Sequence, residues 1–110
     1  MFYEPGELVL IPFPYSDLTS IKRRPVLVLT SPDHHGDIIC LAITSVQTEN
    51  YATPITTTDL SEGQLPKASW VRLNKIFTLS SANVVKSLGH LKSDVLEKVR
   101  RGYCSHMECK

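Results

Sequence analysis

Residues 38 to 45 read Ile38-Ile39-Cys40-Leu41-Ala42-Ile43-Thr44-Ser45. The run is too short for a typical helix, and its aliphatic, β-branched content suits a strand. Alternation puts Ile39, Leu41 and Ile43 on one face and Ile38, Cys40, Ala42 and Thr44 on the other, with Thr44 leaving the core at its rim. Upstream, Pro25 to Thr30 carries Val26, Leu27, Val28 and Leu29, dense enough to be covered on both faces. Ser31 to Asp37 turns the chain between these two strands. A first strand spans residues 6 to 13 and ends where Pro12 cannot donate to a ladder. Between the first two strands, Pro14 to Arg24 is a polar loop with turn-favouring Asp17, Thr19 and Ser20. A loop that long on a small scaffold is a candidate functional element.

Downstream of the same stretch, residues 53 to 58 read as an edge strand with an internal proline. Asp59 to Ala68 reads as a second long loop. Ser69 to Leu73 alternates again, with Val71 and Leu73 on one side and Trp70 and Arg72 on the other, and Lys75 to Leu79 continues as a short strand. Ser81 to Lys86 suggests a short helical turn ended by Gly89. The tail changes period: Val95, Val99, Tyr103 and Met107 recur every four residues with Leu96 beside the first, which is one helical face. Ser93 is placed to cap that helix, Asp94 suits its positive end, and Glu97 with Arg101 forms an i, i+4 pair. Gly102 weakens its middle by ~1 kcal/mol relative to alanine, so packing must hold it. The expected fold is mainly β with α: a small antiparallel barrel or half-barrel of five or six strands with a C-terminal helix.

Length and composition bound the rest. With 110 residues the chain holds a single core, so residues 1–110 read as one domain. An apolar fraction of 42% with 21% charged residues is that of a folding chain rather than a disordered one. No run is long enough to span a bilayer and the start lacks a signal-peptide pattern, which points to the cytosol. Three cysteines cannot all pair within one molecule. Cys40 reads as a buried small hydrophobe, and Cys104, His106 and Cys109, lacking a second pair at ligand spacing, read as a chain end rather than a metal site.

The formal net charge of +1 hides an uneven distribution. Residues 18 to 32 hold Lys22, Arg23 and Arg24 without an acid, and residues 63 to 93 hold Lys67, Arg72, Lys75, Lys86 and Lys92 without one. If these windows meet in space they form a surface for a polyanion; otherwise they are solvated faces with acids nearby.

No glycine-rich phosphate loop, HExxH, carboxylate cluster or GxSxG turn is present, which excludes most familiar hydrolases. Asp33-His34-His35-Gly36-Asp37 reads as a surface turn, since adjacent side chains on a turn point apart. The remaining candidate is Lys22-Arg23-Arg24-Pro25. Proline biases Arg24 toward an extended backbone, and a guanidinium so held is a phosphate fork; the alternative is a solvated or ion-paired rim residue.

Several stretches resemble the MazF/PemK family of toxin endoribonucleases. They are Gly6-Glu7-Leu8-Val9-Leu10 with Phe13-Pro14, Lys22-Arg23-Arg24-Pro25-Val26-Leu27-Val28-Leu29, Ala42-Ile43-Thr44-Ser45, and Leu65-Pro66-Lys67 with Ser69-Trp70-Val71-Arg72-Leu73. Their order is kept from residue 6 to about residue 100. The resemblance implies an SH3-like barrel of the PemK–CcdB type and a homodimer that cuts single-stranded mRNA at short sequences. It also implies no metal or other cofactor, no ribosome, a cognate antitoxin, and operator DNA bound by the toxin–antitoxin complex. It makes Arg24 and Thr44 the catalytic pair. It implies RNA contacts from Phe13, Pro14 and Tyr15 in the first loop, from Lys22 and Arg23 beside the arginine, and from Ser45 and Gln47 beyond the threonine. Further contacts would come from Arg72, Asn74 and Lys75.

A guanidinium and a hydroxyl suit the reaction, because attack by a ribose 2′-hydroxyl on its own phosphate builds charge on the phosphoryl oxygens. The expected ends are a 2′,3′-cyclic phosphate and a 5′-hydroxyl. Arginine is a poor general acid at neutral pH, so the main role of Arg24 is electrostatic. Two departures stand out. Some members carry an acid where Asn74 stands and a histidine in the first loop, and residues 14 to 24 have none. Tyr15 can stack on a base or be an ordinary loop aromatic. Two other readings of the chain are a same-fold toxin that inhibits DNA gyrase without cutting, and an SH3-like nucleic-acid-binding adaptor.

Overall fold

The computed structural model describes residues 3–14 and 21–108, with the backbone alone at 13, 14, 21 and 22. Alternating apolar residues make the first half a meander of β1 (Glu7–Pro14), β2 (Ile21–Val28) and β3 (Asp37–Thr44). The chain continues through β4 (Ala52–Ile55), a 3-10 turn (Thr57–Asp59), β5 (Leu60–Gly63) and β6 (Ser69–Ser80). A second 3-10 turn (Ser81–Asn83), β7 (Lys86–Leu91) and α1 (Ser93–Met107) complete it. The strands form one antiparallel sheet in the order β4-β6-β3-β2-β1-β7-β5.

β4 and β5 are the opposite edges of this sheet, yet only one 3-10 turn separates them in sequence. A few residues reach barely ~3.5 Å each, so the edges can be joined this way only if the sheet curls back on itself. The result is a half-barrel. Thr57 locks the junction: its Oγ1 accepts from the Leu65 amide and donates to the Leu65 carbonyl, both at 3.0 Å.

The curl separates two apolar clusters. Leu8, Leu27, Leu41, Ile43 and Val71 pack on one face with Leu96 and Val99 of α1. Val9, Ile11, Val26, Val28, Ile38 and Cys40 pack on the other, with Tyr3 and the partly buried Phe77 and Leu79. Strands β1 to β3 are therefore apolar on both faces, as the dense run at Val26 to Leu29 predicts. Burial pushes the Cys40 thiol up to about 12, in keeping with a residue that packs rather than reacts. In the β2–β3 turn, Asp33 Oδ1 accepts from the His35 and Asp37 amides, and the Asp37 bond above all holds its carboxyl below the ordinary value. The surface-turn reading of residues 33 to 37 holds.

Several expectations are corrected. Among the described residues the strands number seven rather than five or six. β2 begins at Ile21, so Lys22 to Arg24 are strand residues paired with β1 and not loop residues. Residues 69–73 and 75–79 are one continuous strand, and the edge strand expected over 53 to 58 gives way to the first 3-10 turn after Ile55. The second long loop contains β5, and the helical turn expected over Ser81 to Lys86 stops at Asn83. Gly89 then lies inside β7, opposite Gly63 of β5. The backbones meet so closely there that a Cβ on Gly63, whose φ is +88°, would stand 2.0 Å from the Leu88 carbonyl oxygen. Glycine is required at that crossing.

The helix buries Val99 and Leu96 and packs Val95 and Tyr103 against the core, whereas Met107, expected on the same face, is exposed; Ser93 is its first helical residue and Lys92 occupies the cap position without a side-chain bond. Glu97 meets Arg100 at 4.0 Å rather than Arg101. The packing that compensates Gly102 is visible: a Cβ there would lie 2.7 Å from Cδ1 of Leu73, so α1 sits directly on β6. Among the described residues no helix is long and apolar enough to cross a membrane. Cys109 lies outside the described residues.

Candidate active site

Arg24 stands in β2 opposite Ile11 of β1, its extended backbone enforced by Pro25. The β2–β3 ladder pairs Val26 with Ala42. Two residues further along each strand, past the end of that pairing, lie Arg24 and Thr44. Antiparallel alternation puts both on the sheet face of Val26 and Cys40. Arg24 is half-buried, with its Nε shielded from solvent. Thr44 ends β3 and is half-buried. Its Oγ1 accepts from the Val46 amide at 3.1 Å, which fixes the rotamer and leaves the hydroxyl hydrogen to donate elsewhere.

Two hollows flank this pair, and Arg24, Pro25, Ile43 and Thr44 line both. The wider, about 490 Å³, has Lys67 and Lys86 on its rim beside Arg23 and Ser45, and an apolar wall of Leu10, Val46, Leu65, Pro66 and Leu88. The narrower, about 180 Å³, is closed by Arg72, Lys75 and Phe77.

The narrower hollow arises from an irregularity in β6. Leu41 pairs with Ile76 and Ile43 with Val71, so residues 72 to 75 of β6 stand opposite Ala42 alone. Such a bulge re-aims side chains, and here it carries Arg72 and Lys75 to the Arg24 end of the sheet. The wider hollow depends on the segment after β5. Gln64 donates its amide to the Leu88 carbonyl at 3.1 Å, Thr57 holds Leu65, and Ser69 Oγ donates to the Lys67 carbonyl at 2.9 Å. These bonds pin the loop that carries Lys67.

Arg23, Arg24, Lys67, Arg72, Lys75 and Lys86 therefore converge, and among the described residues no carboxylate lines either hollow. Members of both acid-free windows do meet in space and form a cationic groove, the condition for a surface that attracts a polyanion. Sequence reasoning placed Arg23, Arg24, Thr44, Ser45, Arg72 and Lys75 here and the structure brings them together. Gln47 and Asn74 are exposed and line neither hollow. Tyr15 lies outside the described residues, as do the side chains of Phe13, Pro14 and Lys22. Lys67, Lys86 and Phe77 were not singled out as site residues. The charge windows contained the signal for the two lysines, but only the curl of the sheet brings residues 67 and 86 beside residue 24.

Residues 4–106 match the family described as PemK-like, MazF-like toxins of type II toxin–antitoxin systems. The chain belongs to this family. It is 31% identical over 98 residues to endoribonuclease MazF2 of Mycobacterium bovis, covering 81% of this chain and 82% of that protein. The same identity and coverage relate it to endoribonuclease MazF6 of Mycobacterium tuberculosis. Its fold is that of a mycobacterial endoribonuclease solved with its cognate antitoxin, at a TM-score of 0.75 and 15% identity over 98% of this chain and 97% of that one. A MazE–MazF structure from Deinococcus radiodurans gives the same TM-score of 0.75, with 20% identity over 98% of both chains. The PemK/MazF fold thus accounts for both the half-barrel and the helix that closes it.

Proposed function

We propose that this PemK/MazF-family chain is a sequence-specific endoribonuclease that cuts single-stranded mRNA without a metal ion or the ribosome. The carrying observation is that Arg24 and Thr44 line both hollows, inside a groove lined by cations and, among the described residues, by no carboxylate. The groove holds the RNA backbone, and the scissile phosphate sits over Arg24 and Thr44. The ribose 2′-oxygen forms a bond to phosphorus as the bond from phosphorus to the 5′-oxygen breaks. The 2′-hydroxyl loses a proton and the departing 5′-oxygen gains one, leaving a 2′,3′-cyclic phosphate and a 5′-hydroxyl.

Charge grows on the non-bridging oxygens during this step. The Arg24 guanidinium, charged at any working pH, stabilises it, and the Thr44 hydroxyl donates a hydrogen bond to the same phosphate. The remaining cations and Ser45 hold flanking nucleotides, with Phe13, Pro14, Tyr15, Lys22, Gln47 and Asn74 as further expected contacts. A cognate antitoxin would silence the protein by laying an acidic segment across the groove. The working form is a cytosolic homodimer, in which a second copy extends so small a groove, and the toxin–antitoxin complex binds operator DNA.

The test is incubation of purified protein with single-stranded RNA in excess EDTA. Fragments bearing cyclic phosphate and 5′-hydroxyl ends are expected, and Arg24→Ala should lose them. Intact RNA, or equal cutting by Arg24→Ala, would overturn the proposal.

A further inference from the structure

The two hollows differ in more than size. The wider has an apolar wall and lysines at its rim, which suits the backbone and bases of more than one nucleotide. The narrower is closed by Arg72, Lys75 and the partly buried Phe77, and its volume of about 180 Å³ falls below the usual range for a whole small-molecule ligand, roughly 300–1,000 Å³.

Arg72 carries the decisive observation. Among the described residues its Nε is buried without a hydrogen-bond acceptor and no carboxylate pairs with it. Buried donors in native proteins are nearly always satisfied, so an orphaned one at the wall of an open hollow marks the position of a ligand's acceptor atom. Arg72 also sits on the part of β6 that leaves the β3 ladder, where it makes no side-chain contribution to the two apolar clusters.

We infer that Arg72 is a specificity-determining residue that selects the base of one nucleotide adjoining the cut bond, favouring bases with carbonyl oxygens and rejecting adenine. This rests on the endoribonuclease reading of the Arg24–Thr44 pair. A guanidinium offers parallel N–H donors that match a base edge with oxygen acceptors. Adenine presents an exocyclic amine instead of a carbonyl, and that amine would face Arg72 and Lys75, both donors only. Phe77 supplies an apolar wall against which a base can stack. Among the described residues the charge-bearing side chains of the narrow hollow are all cationic, so no carboxylate there rewards the adenine amine. On the wide side, Lys67 and Lys86 contact phosphates, which carry no sequence information. Discrimination therefore falls unevenly about the cut, with its sharpest position on the narrow side.

Mapping the cut ends of a randomised RNA pool tests this for the full chain and for Arg72→Gln, with thermal melting of each variant. The unaltered protein should disfavour adenine by at least ~10-fold at one position adjoining the cut, in line with the usual worth of one bidentate base contact. Arg72→Gln, whose amide oxygen accepts from the adenine amine, should abolish or reverse the bias at that position and leave the others as they were. If Arg72→Gln does not fold, Arg72→Met keeps the stem without any donor and should likewise lose the bias against adenine. An unchanged profile overturns the assignment, and so does a uniform loss over all sequences with a weaker salt dependence, which marks a phosphate contact. Cutting with either result leaves the nuclease reading standing. No cutting by the unaltered protein overturns both.

Discussion

The helix face and the groove face of the half-barrel are built on opposite principles. On the helix face, Leu73 of β6 packs against Gly102 and the buried Leu96 and Val99 join the core of the sheet, so every contact adds stability. On the groove face, β2, β6, β7 and the loop that carries Lys67 collect cations, and Arg72 buries a donor with no acceptor among the described residues. An orphaned buried donor costs on the order of 1–3 kcal/mol. The groove face is thus held in place by stability generated elsewhere, and the contrast separates residues whose loss harms activity from those whose loss harms folding.

The largest expected effect is at Arg24. Arg24→Ala should lower RNA cleavage by ~10²–10³-fold, the usual loss when a preorganised charge-stabilising donor is removed. Its unfolding free energy should change by less than ~1 kcal/mol, read by urea denaturation. Collapse of the fold in this variant would break the division between the two faces.

Gly63→Ala probes the seam from which the Lys67 loop departs. Left-handed strain of ~1–2 kcal/mol adds to an overpacking cost of ~1–3 kcal/mol against the Leu88 carbonyl. A fall in melting temperature by more than ~10 °C is expected. Unaltered melting would show that the β5–β7 crossing can spread at little cost.

Leu96→Ala should destabilise the fold by about 2–3 kcal/mol, the lower part of the range for buried leucine, while cleavage per folded molecule stays unchanged. A selective loss of cleavage at full stability would show that the helix face acts on the groove.

The smallest effect concerns Cys40. Its folded thiol ionises near 12 against an ordinary value of 9.0. Between those values the unfolded chain has released a proton that the folded chain retains, so stability falls as pH rises through that window and is unaffected below it. Raising the pH from 8 to 10 should cost the protein roughly 1 kcal/mol more than it costs Cys40→Ala, measured as paired urea titrations. Equal slopes would mean that the thiol is hydrated in the fold.

Local pattern was sufficient where burial itself is periodic. The alternation at Ile38 to Thr44 and the four-residue recurrence from Val95 to Tyr103 specify β3 and α1, because most of each apolar face must be covered whatever covers it, although Ile39 and Met107 stay exposed. Arg24 and Thr44 were legible through Pro25 and the rim position of a strand, and through the family stretches around them. β5 and β7 were not legible. Leu60-Ser61-Glu62-Gly63 and Lys86-Ser87-Leu88-Gly89-His90-Leu91 carry little alternation, and they are strands because β1 and β7 supply ladders for them. The bulge over residues 72 to 75 likewise follows from β6 serving both β3 and β4, a constraint no window of its own sequence contains. What the amino-acid order determined by itself was which residues must be buried and where cations are free of acids. Which cations share a groove, and that one hollow is narrower than the other, was decided by the curl of the sheet, because closure brings together residues that local periodicity leaves unrelated.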